Sequence, residues 1–187
     1  SIVKRWRARN AWAPEFWYAT SDAAASAVDN PGTVTESGRM RYSFYPALLG
    51  GTLLCFLPGD VVLSYPQAKI EYNHDKHSYD LTAIKATWKP KADSTVWPRV
   101  SLWHGLLVEN GTQALCAGVL RHALRKFHYR DVVMHTHDEI VDEVHEEQAA
   151  EAVEFMAGAM GECAFTPGLP LHVDPFICWR YGHKPED

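Results

Sequence analysis

The sequence predicts an α+β fold, because helical and strand-like patterns occupy separate stretches of the chain. Residues 2–29 and 106–127 carry apolar residues at helical spacing, whereas residues 33–103 show short apolar or alternating runs between turn residues. A further helical pattern at 146–160 follows a compact hairpin-like segment, residues 131–145. We therefore expect antiparallel strands joined by short turns and packed by helices.

The composition is that of an ordinary globular chain. Its 187 residues are 47% hydrophobic and 22% charged, which is enough for one domain with a hydrophobic core. The 4 cysteines have no close spacing, which argues against a zinc ribbon or a disulfide framework and favours a reduced, intracellular setting. No apolar run approaches the roughly 20 residues of a membrane span, so no membrane partner is expected.

The net charge of −5 is unexpected for a free-standing nucleic-acid-binding protein. The basic residues are nevertheless segregated, and a polyanion could meet these strips, although such runs are more often solvated faces. The strips lie near residue 5 and before the hairpin, and consist of Lys4, Arg5, Arg7, Arg9, Arg121, Arg125, Lys126 and Arg130.

Two helices are predicted before residue 30, since Pro14 suits the first turn of a second helix that starts near Asn10. Asn-Pro-Gly at 30–32 should end that helix. In the strand-rich region a Pro-Gly-Asp turn at 58–60 should join two strands. The other predicted strands are residues 39–45, a hairpin of 84–88 with 96–103, and a last strand at 171–178.

The hairpin-like segment has two apolar arms around a polar centre that contains Asp138 and Glu139. A tight turn would lift both carboxylates out of the sheet, where they can hold Mg²⁺, which prefers one or two carboxylates and keeps positions for substrate phosphates. Two alternatives remain open. The turn can be merely solvated, or His135 and His137 can alternate onto one strand face as an H-x-H transition-metal pair.

Several segments together resemble the C-terminal part of family A DNA polymerases, the group of bacterial DNA polymerase I, and especially their phage branch. They are a Leu-Pro-Gly turn closed by Tyr-Pro, LVENGTQA at 107–114 and VVMHTHDEIVDEV at 132–144. The resemblance covers essentially all 187 residues. It implies a polymerase palm sheet with a motif C hairpin in residues 31–187, and helices derived from the fingers in residues 1–30.

The resemblance also implies roles for the hairpin residues. Asp138 would be one of two catalytic aspartates that hold a Mg²⁺ pair, and Glu139 its acidic neighbour at the metal. His137 would lie near the primer terminus. These three residues are the expected catalytic group.

The helix at 106–127 would supply the nucleic-acid-binding residues. Gln113 would reach the minor groove of the nascent base pair, where acceptors sit alike on all base pairs. Asn110 and Glu109 would flank the same surface.

The departures from the family pattern imply an incomplete enzyme. The sequence contains neither a motif A aspartate nor the fingers helix that binds the triphosphate. Basic or polar positions are also replaced, by His104-Gly105-Leu106, by Ala117-Gly118 and by Asp60. Two-metal phosphoryl transfer needs carboxylates from separate strands, so this chain would supply half of the metal site.

The resulting hypothesis is a subunit of a split DNA polymerase, or a fragment of a polymerase, that is inactive as this chain alone. Its partners would be primer-template DNA, a deoxynucleoside triphosphate and a second chain carrying motif A and the fingers helix, in the cytoplasm of a bacterium or of a phage-infected cell. Two alternatives stay open: a degenerate palm kept as a DNA-binding or assembly subunit, and an unrelated H-x-H metalloenzyme.

Overall fold

The computed structural model describes residues 1–85, 90 and 94–182 and shows an α+β fold, as predicted. The chain divides into two compact units, residues 1–114 and residues 115–187. Among the described residues, no helix is long and apolar enough to cross a membrane. The division into a segment 1–30 and a segment 31–187 stays a prediction.

Two helices open the first unit, α1 (Ile2–Arg9) and α2 (Trp12–Asp29), which confirms the predicted pair. The Ser1 hydroxyl accepts a hydrogen bond from the Lys4 amide at 3.4 Å and caps α1. At the far end of α2 the Asn30 side chain donates to the Ser26 carbonyl at 2.9 Å, and Gly32 adopts φ +86°. The Asn-Pro-Gly stop therefore acts as predicted.

A four-stranded antiparallel sheet follows in the order β1 (Thr35–Ser37), β2 (Met40–Tyr45), β3 (Thr52–Leu57) and β4 (Val61–Pro66). The predicted turn at 58–60 joins β3 to β4, with Asp60 at φ 57°. Helix α2 packs on β1 and β2 through small side chains, since alanines form most of its buried face. Thr20 and Ser37 seal this contact with a buried hydroxyl pair at 2.9 Å.

A second antiparallel sheet contains β5 (Lys69–Asn73), β6 (Ser78–Ile84) and β7 (Arg99–Ser101). Of the predicted hairpin of 84–88 with 96–103, the structure confirms the antiparallel pairing of the two arms at Ile84 and Arg99, although β6 lies mainly before the predicted first arm and β7 is shorter than the second. Residues 86–89 and 91–93 lie outside the described part of the chain. Strand β5 was not predicted, because charged and polar residues interrupt its apolar pattern.

Polar contacts fix the second sheet. Arg99 donates to the Glu71 carboxylate at 3.2 Å and to the Gln67 carbonyl at 2.8 Å. Hydrogen bonds from Lys69 and then Thr82, helped by the charges of Lys69 and Arg99, lower the pKa of Glu71 to about 2. Arg99 thereby ties the last strand of this sheet to the first.

The second unit contains the C-terminal part of α3 (His104–Lys126), a helix that runs across the boundary, and the strands β8 (Val132–Thr136) and β9 (Glu139–Asp142). A 3-10 turn (Glu146–Gln148) and α4 (Ala149–Gly161) follow. The predicted helices and hairpin are therefore confirmed. The core of this unit joins α3, β9 and α4 through Ala123, Phe127, Ile140 and Ala159.

The predicted last strand at 171–178 is wrong, because the structure assigns no strand to these described residues. Their burial still alternates from Leu171 to Pro175, as it would along a half-buried strand. Pro175 has no N–H to donate to a neighbouring strand. Val173 instead lies beside the last turn of α4: a Cβ atom built on Gly161 would be in van der Waals contact with the Val173 side chain.

The burial of Cys55 predicts an inert thiol. Cys55 is 1% exposed, and burial raises the pKa of its thiol to about 11, although a hydrogen bond from Tyr42 opposes the shift. The thiolate is the reactive form, so the raised pKa leaves little reactive Cys55 at pH 8. We expect an aromatic disulfide reagent at pH 8 to modify the exposed Cys116 and Cys178 but not Cys55.

The matched variants for this prediction are Cys55→Ser and Cys116→Ser. Cys116→Ser should lower by one the number of thiols that react rapidly in the folded protein. Cys55→Ser should lower the number of reactive thiols only after denaturation in guanidinium. Loss of a fast-reacting thiol in folded Cys55→Ser protein would contradict the buried environment.

Candidate functional site

The β8–β9 hairpin closes through a two-residue loop, His137 and Asp138, since Thr136 pairs with Glu139 across it. His137 adopts φ 44°, a left-handed backbone conformation that turns the chain sharply. His137, Asp138 and Glu139 are all exposed. The structure thus places the three predicted catalytic residues together at the tip of the hairpin.

The hairpin is anchored at its base. Ile140 is 5% exposed and packs in the core of the second unit. At the open end, the Glu143 amide donates to the Asp131 carbonyl at 3.1 Å. A register shift leaves Val133 bulged between the Val132 and Met134 pairings, and bulges of this kind twist and re-aim a strand. The tip is therefore an exposed loop on an anchored base.

Asp142 is an acid of the hairpin that faces the core, because it alternates with Ile140 along β9. Its side chain is 2% exposed, and that of Arg130, 3.6 Å away between Nε and Oδ2, is 13% exposed. Within the described part of the chain, neither carboxylate oxygen nor Arg130 Nε forms a hydrogen bond. The Arg130 guanidinium also lies 4.4 Å from the centre of the Phe155 ring.

The buried position makes Asp142 easier to protonate than an exposed acid. Burial raises its pKa, the charge of Arg130 opposes that shift, and Asp131 adds to it. Asp142 is close in sequence to Asp138, yet its environment is the opposite of that of the exposed loop. Asp142 therefore supports the hairpin rather than offering a ligand position.

Tyr181 reaches the hairpin tip from the C-terminal tail. A hydrogen bond with the Glu139 carboxylate is the main cause that raises the pKa of the Tyr181 hydroxyl, with burial and the negative charge acting in the same direction. The phenol donates and the carboxylate accepts. Glu139 is thus engaged within this unit.

The predicted nucleic-acid-binding residues lie in the N-terminal half of α3, within the first unit. Glu109 and Gln113 are exposed and one helical turn apart, while Asn110 is partly buried. The Asn110 amide donates to the Tyr65 hydroxyl at 3.4 Å, and burial raises the pKa of Tyr65 to about 12 against that hydrogen bond. Asn110 therefore has a structural partner, and Gln113 is the more available amide.

A glycine sets the position of this polar face. Gly111 is buried, and a side-chain carbon there would collide with Met40 of β2. The absence of a side chain lets α3 approach the sheet closely. Gln113 belongs to the first unit and Asp138 to the second.

The described residues contain no cluster of three or more His, Cys, Asp or Glu side chains placed to hold a metal ion. The H-x-H alternative required both histidines to lie on one strand. The structure places His135 in β8 but His137 in the loop, where its backbone is left-handed. The two histidines therefore do not continue one strand alternation. Asp138 and Glu139 remain as a pair of exposed carboxylates at the tip.

Two residues that shape the hairpin, Asp142 and Tyr181, were not predicted from the sequence. For Asp142 a signal existed, since period-two alternation from Ile140 places it on the apolar face. For Tyr181 no local pattern could have found the contact, because Glu139 lies in another element far away along the chain.

The chain is similar to part of a phage protein. An alignment of 184 residues with the protein named DNA polymerase of Bacillus phage SP02 has 30% identity and covers 96% of this chain. It covers 26% of that protein, so the chain spans about a quarter of its relative's length. No protein-family model and no solved structure matches the chain.

Proposed function

We propose that this chain is the C-terminal palm part of a family A DNA-directed DNA polymerase and contributes its motif C hairpin. The single observation that carries the proposal is the hairpin itself: a two-residue loop that presents Asp138 beside Glu139 on an anchored base. The similarity to a phage DNA polymerase over 96% of the chain supports it. The site of action is then intracellular, where primer-template DNA and deoxynucleoside triphosphates are found.

The hairpin residues fit half of a Mg²⁺ site. Mg²⁺ takes oxygen ligands and is commonly bound by one or two carboxylates together with substrate phosphates. Asp138 and Glu139 are exposed and can supply such oxygens. When bound, the metal pair would stabilise the charge that develops during phosphoryl transfer.

The remaining parts of the active site must come from outside these 187 residues. The second catalytic carboxylate and the cationic helix for the triphosphate are absent from the sequence, and in a split polymerase a second chain supplies them. His137 then lies near the primer terminus, and Gln113 reads the minor groove with Asn110 and Glu109 beside it. The segment 1–30 belongs to the fingers in this proposal.

The test is complementation. The 187-residue chain alone should incorporate no nucleotide on primed template with Mg²⁺, because one aspartate cannot organise two ions. Addition of a polypeptide that carries motif A and the fingers helix should restore primer extension. Extension should be followed by the length of a labelled primer, with the second polypeptide alone as control.

Two results would contradict this proposal. Robust extension by the purified chain would exclude a split active site. Absence of extension with every complementing polypeptide, in mixtures that form a stable complex on DNA, would favour the degenerate palm that serves as a DNA-binding or assembly subunit.

A further inference from the structure

A row of aromatic rings lies on the first unit. The rings of Trp6 and Trp17 have centroids 6.1 Å apart, and those of Trp17 and His104 are 6.2 Å apart. Both pairs are close to parallel, with interplanar angles of 13°. Three rings from α1, α2 and the start of α3 therefore form one continuous stack.

Two further rings flank His104 and complete what we call the aromatic row (Trp6, Trp17, Tyr18, Trp103 and His104). The centroid of the Tyr18 ring lies 4.8 Å from that of the His104 ring, and the centroid of the Trp103 ring lies 5.3 Å from it. Gly105 makes room for this arrangement, since a side-chain carbon at that position would collide with the Trp103 ring. The contacts of Trp17 and Tyr18 with His104 join two different helices and hold the rings in place.

The aromatic row is only partly covered. Trp6 is 45% exposed, and Tyr18 and Trp103 are each 55% exposed. Large aromatic side chains normally bury most of their surface, so grouped exposed rings of this kind indicate a binding surface.

The charge beside the aromatic row is strongly positive. Residues 1–14 contain no acid, although the whole chain has a net charge of −5. The Arg7 guanidinium lies 5.8 Å from the centre of the Trp17 ring, which links the cations to the rings. The cations of α1, all exposed, are Lys4, Arg5, Arg7 and Arg9.

We propose that the aromatic row and the cations of α1 bind single-stranded DNA. Bases would stack on the exposed rings while the phosphates meet the cations, which is the combination used by proteins that hold single strands without sequence preference. Duplex DNA hides its base faces, so it could use the cations but not the rings. The choice of DNA as the polymer rests on the proposed function; the binding chemistry does not.

Binding should be measured on the 187-residue chain by the anisotropy of a fluorescent oligodeoxythymidylate of about 20 nucleotides, enough to span one or more single-strand sites. The buffer contains EDTA and no second polypeptide, so the readout is independent of polymerase activity. We expect Trp6→Ala/Trp103→Ala to weaken binding by about tenfold or more, the scale for removing base stacking. Trp179→Ala is the matched control, because Trp179 is 88% exposed and lies in the other unit.

Two more variants separate stacking from charge and from misfolding. Trp6→Phe/Trp103→Phe should retain most of the affinity, since each ring face is kept. Arg5→Gln/Arg9→Gln should weaken binding and flatten the slope of log affinity against log salt by roughly 0.7 for each phosphate that is no longer neutralised. A circular dichroism spectrum of each variant should be recorded to check that it is folded.

The proposal is overturned if the double alanine variant binds as well as Trp179→Ala, or if duplex DNA of equal length binds as tightly as the single strand. Tighter binding of oligouridylate than of the DNA oligomer would likewise overturn the assignment to DNA. Failure of complementation with single-strand binding intact would refute the proposed function and leave this surface standing.

Discussion

Asp138→Asn in the complemented polymerase should lower the rate of nucleotide incorporation by several orders of magnitude. The substitution keeps the size of the side chain but removes an anionic ligand, and a directly bound metal stabilises charge that develops only in the transition state. Because Asp138 is exposed in the loop, thermal stability should be nearly unchanged. Single-turnover incorporation with Mg²⁺ and a circular dichroism melt measure the two quantities.

Glu143→Gln is the matched control, since Glu143 is an exposed acid of the same hairpin base and not of the tip. It should leave incorporation within a few-fold of the parent. Gln113→Ala should have an intermediate effect, through a loss of roughly 1–3 kcal/mol in binding of the primer terminus, the scale for a missing hydrogen-bond partner. Near-normal incorporation by Asp138→Asn would make the hairpin a structural relic and favour the non-catalytic palm.

Asp142→Ala should destabilise the second unit by roughly 3–5 kcal/mol, the usual penalty when one partner of a buried ion pair is removed. The variant leaves the Arg130 guanidinium, whose side chain is 13% exposed, without the carboxyl group beside it. Urea denaturation followed by circular dichroism measures the free energy of unfolding. Incorporation should fall as well, because β9 carries Glu139 next to the loop.

The double variant Arg130→Met/Asp142→Ala is the control, because it removes both charges and keeps an apolar chain over Phe155. We expect it to be more stable than Asp142→Ala alone, since burial of an ion pair is itself costly. If the two single substitutions simply added in the double variant, the pair would have no energetic coupling.

The difference in stability between the parent and Asp142→Ala should depend on pH with a defined sign. The folded-state pKa of Asp142 is raised above its ordinary value of 3.8. At a pH between the unfolded and the folded pKa, Asp142 holds a proton in the folded protein and releases it in the unfolded chain. The contribution of Asp142 to the free energy of unfolding therefore grows as pH falls through the raised pKa, and it diminishes as pH rises through it. The stability gap between parent and Asp142→Ala should therefore widen from neutral pH towards about pH 4, the ordinary range of an aspartate.

Local sequence determined much of the architecture. Apolar spacing and turn residues marked α1, α2, α3 and α4, and the Pro-Gly-Asp turn marked the β3–β4 connection. The loop that presents Asp138 followed from two apolar arms around a polar centre. These features depend on residues within a few positions of one another, so the sequence alone was sufficient to predict them.

Only the tertiary structure decided which side chains meet. The sequence predicted a last strand at 171–178, but a strand needs a partner that donates and accepts, and none pairs with those residues among the described ones. The burial of Asp142 against Arg130, the hydrogen bond of Tyr181 to Glu139 and the stack of Trp17 on His104 join residues of different elements. Such contacts depend on how elements pack, which the local pattern of residues does not encode.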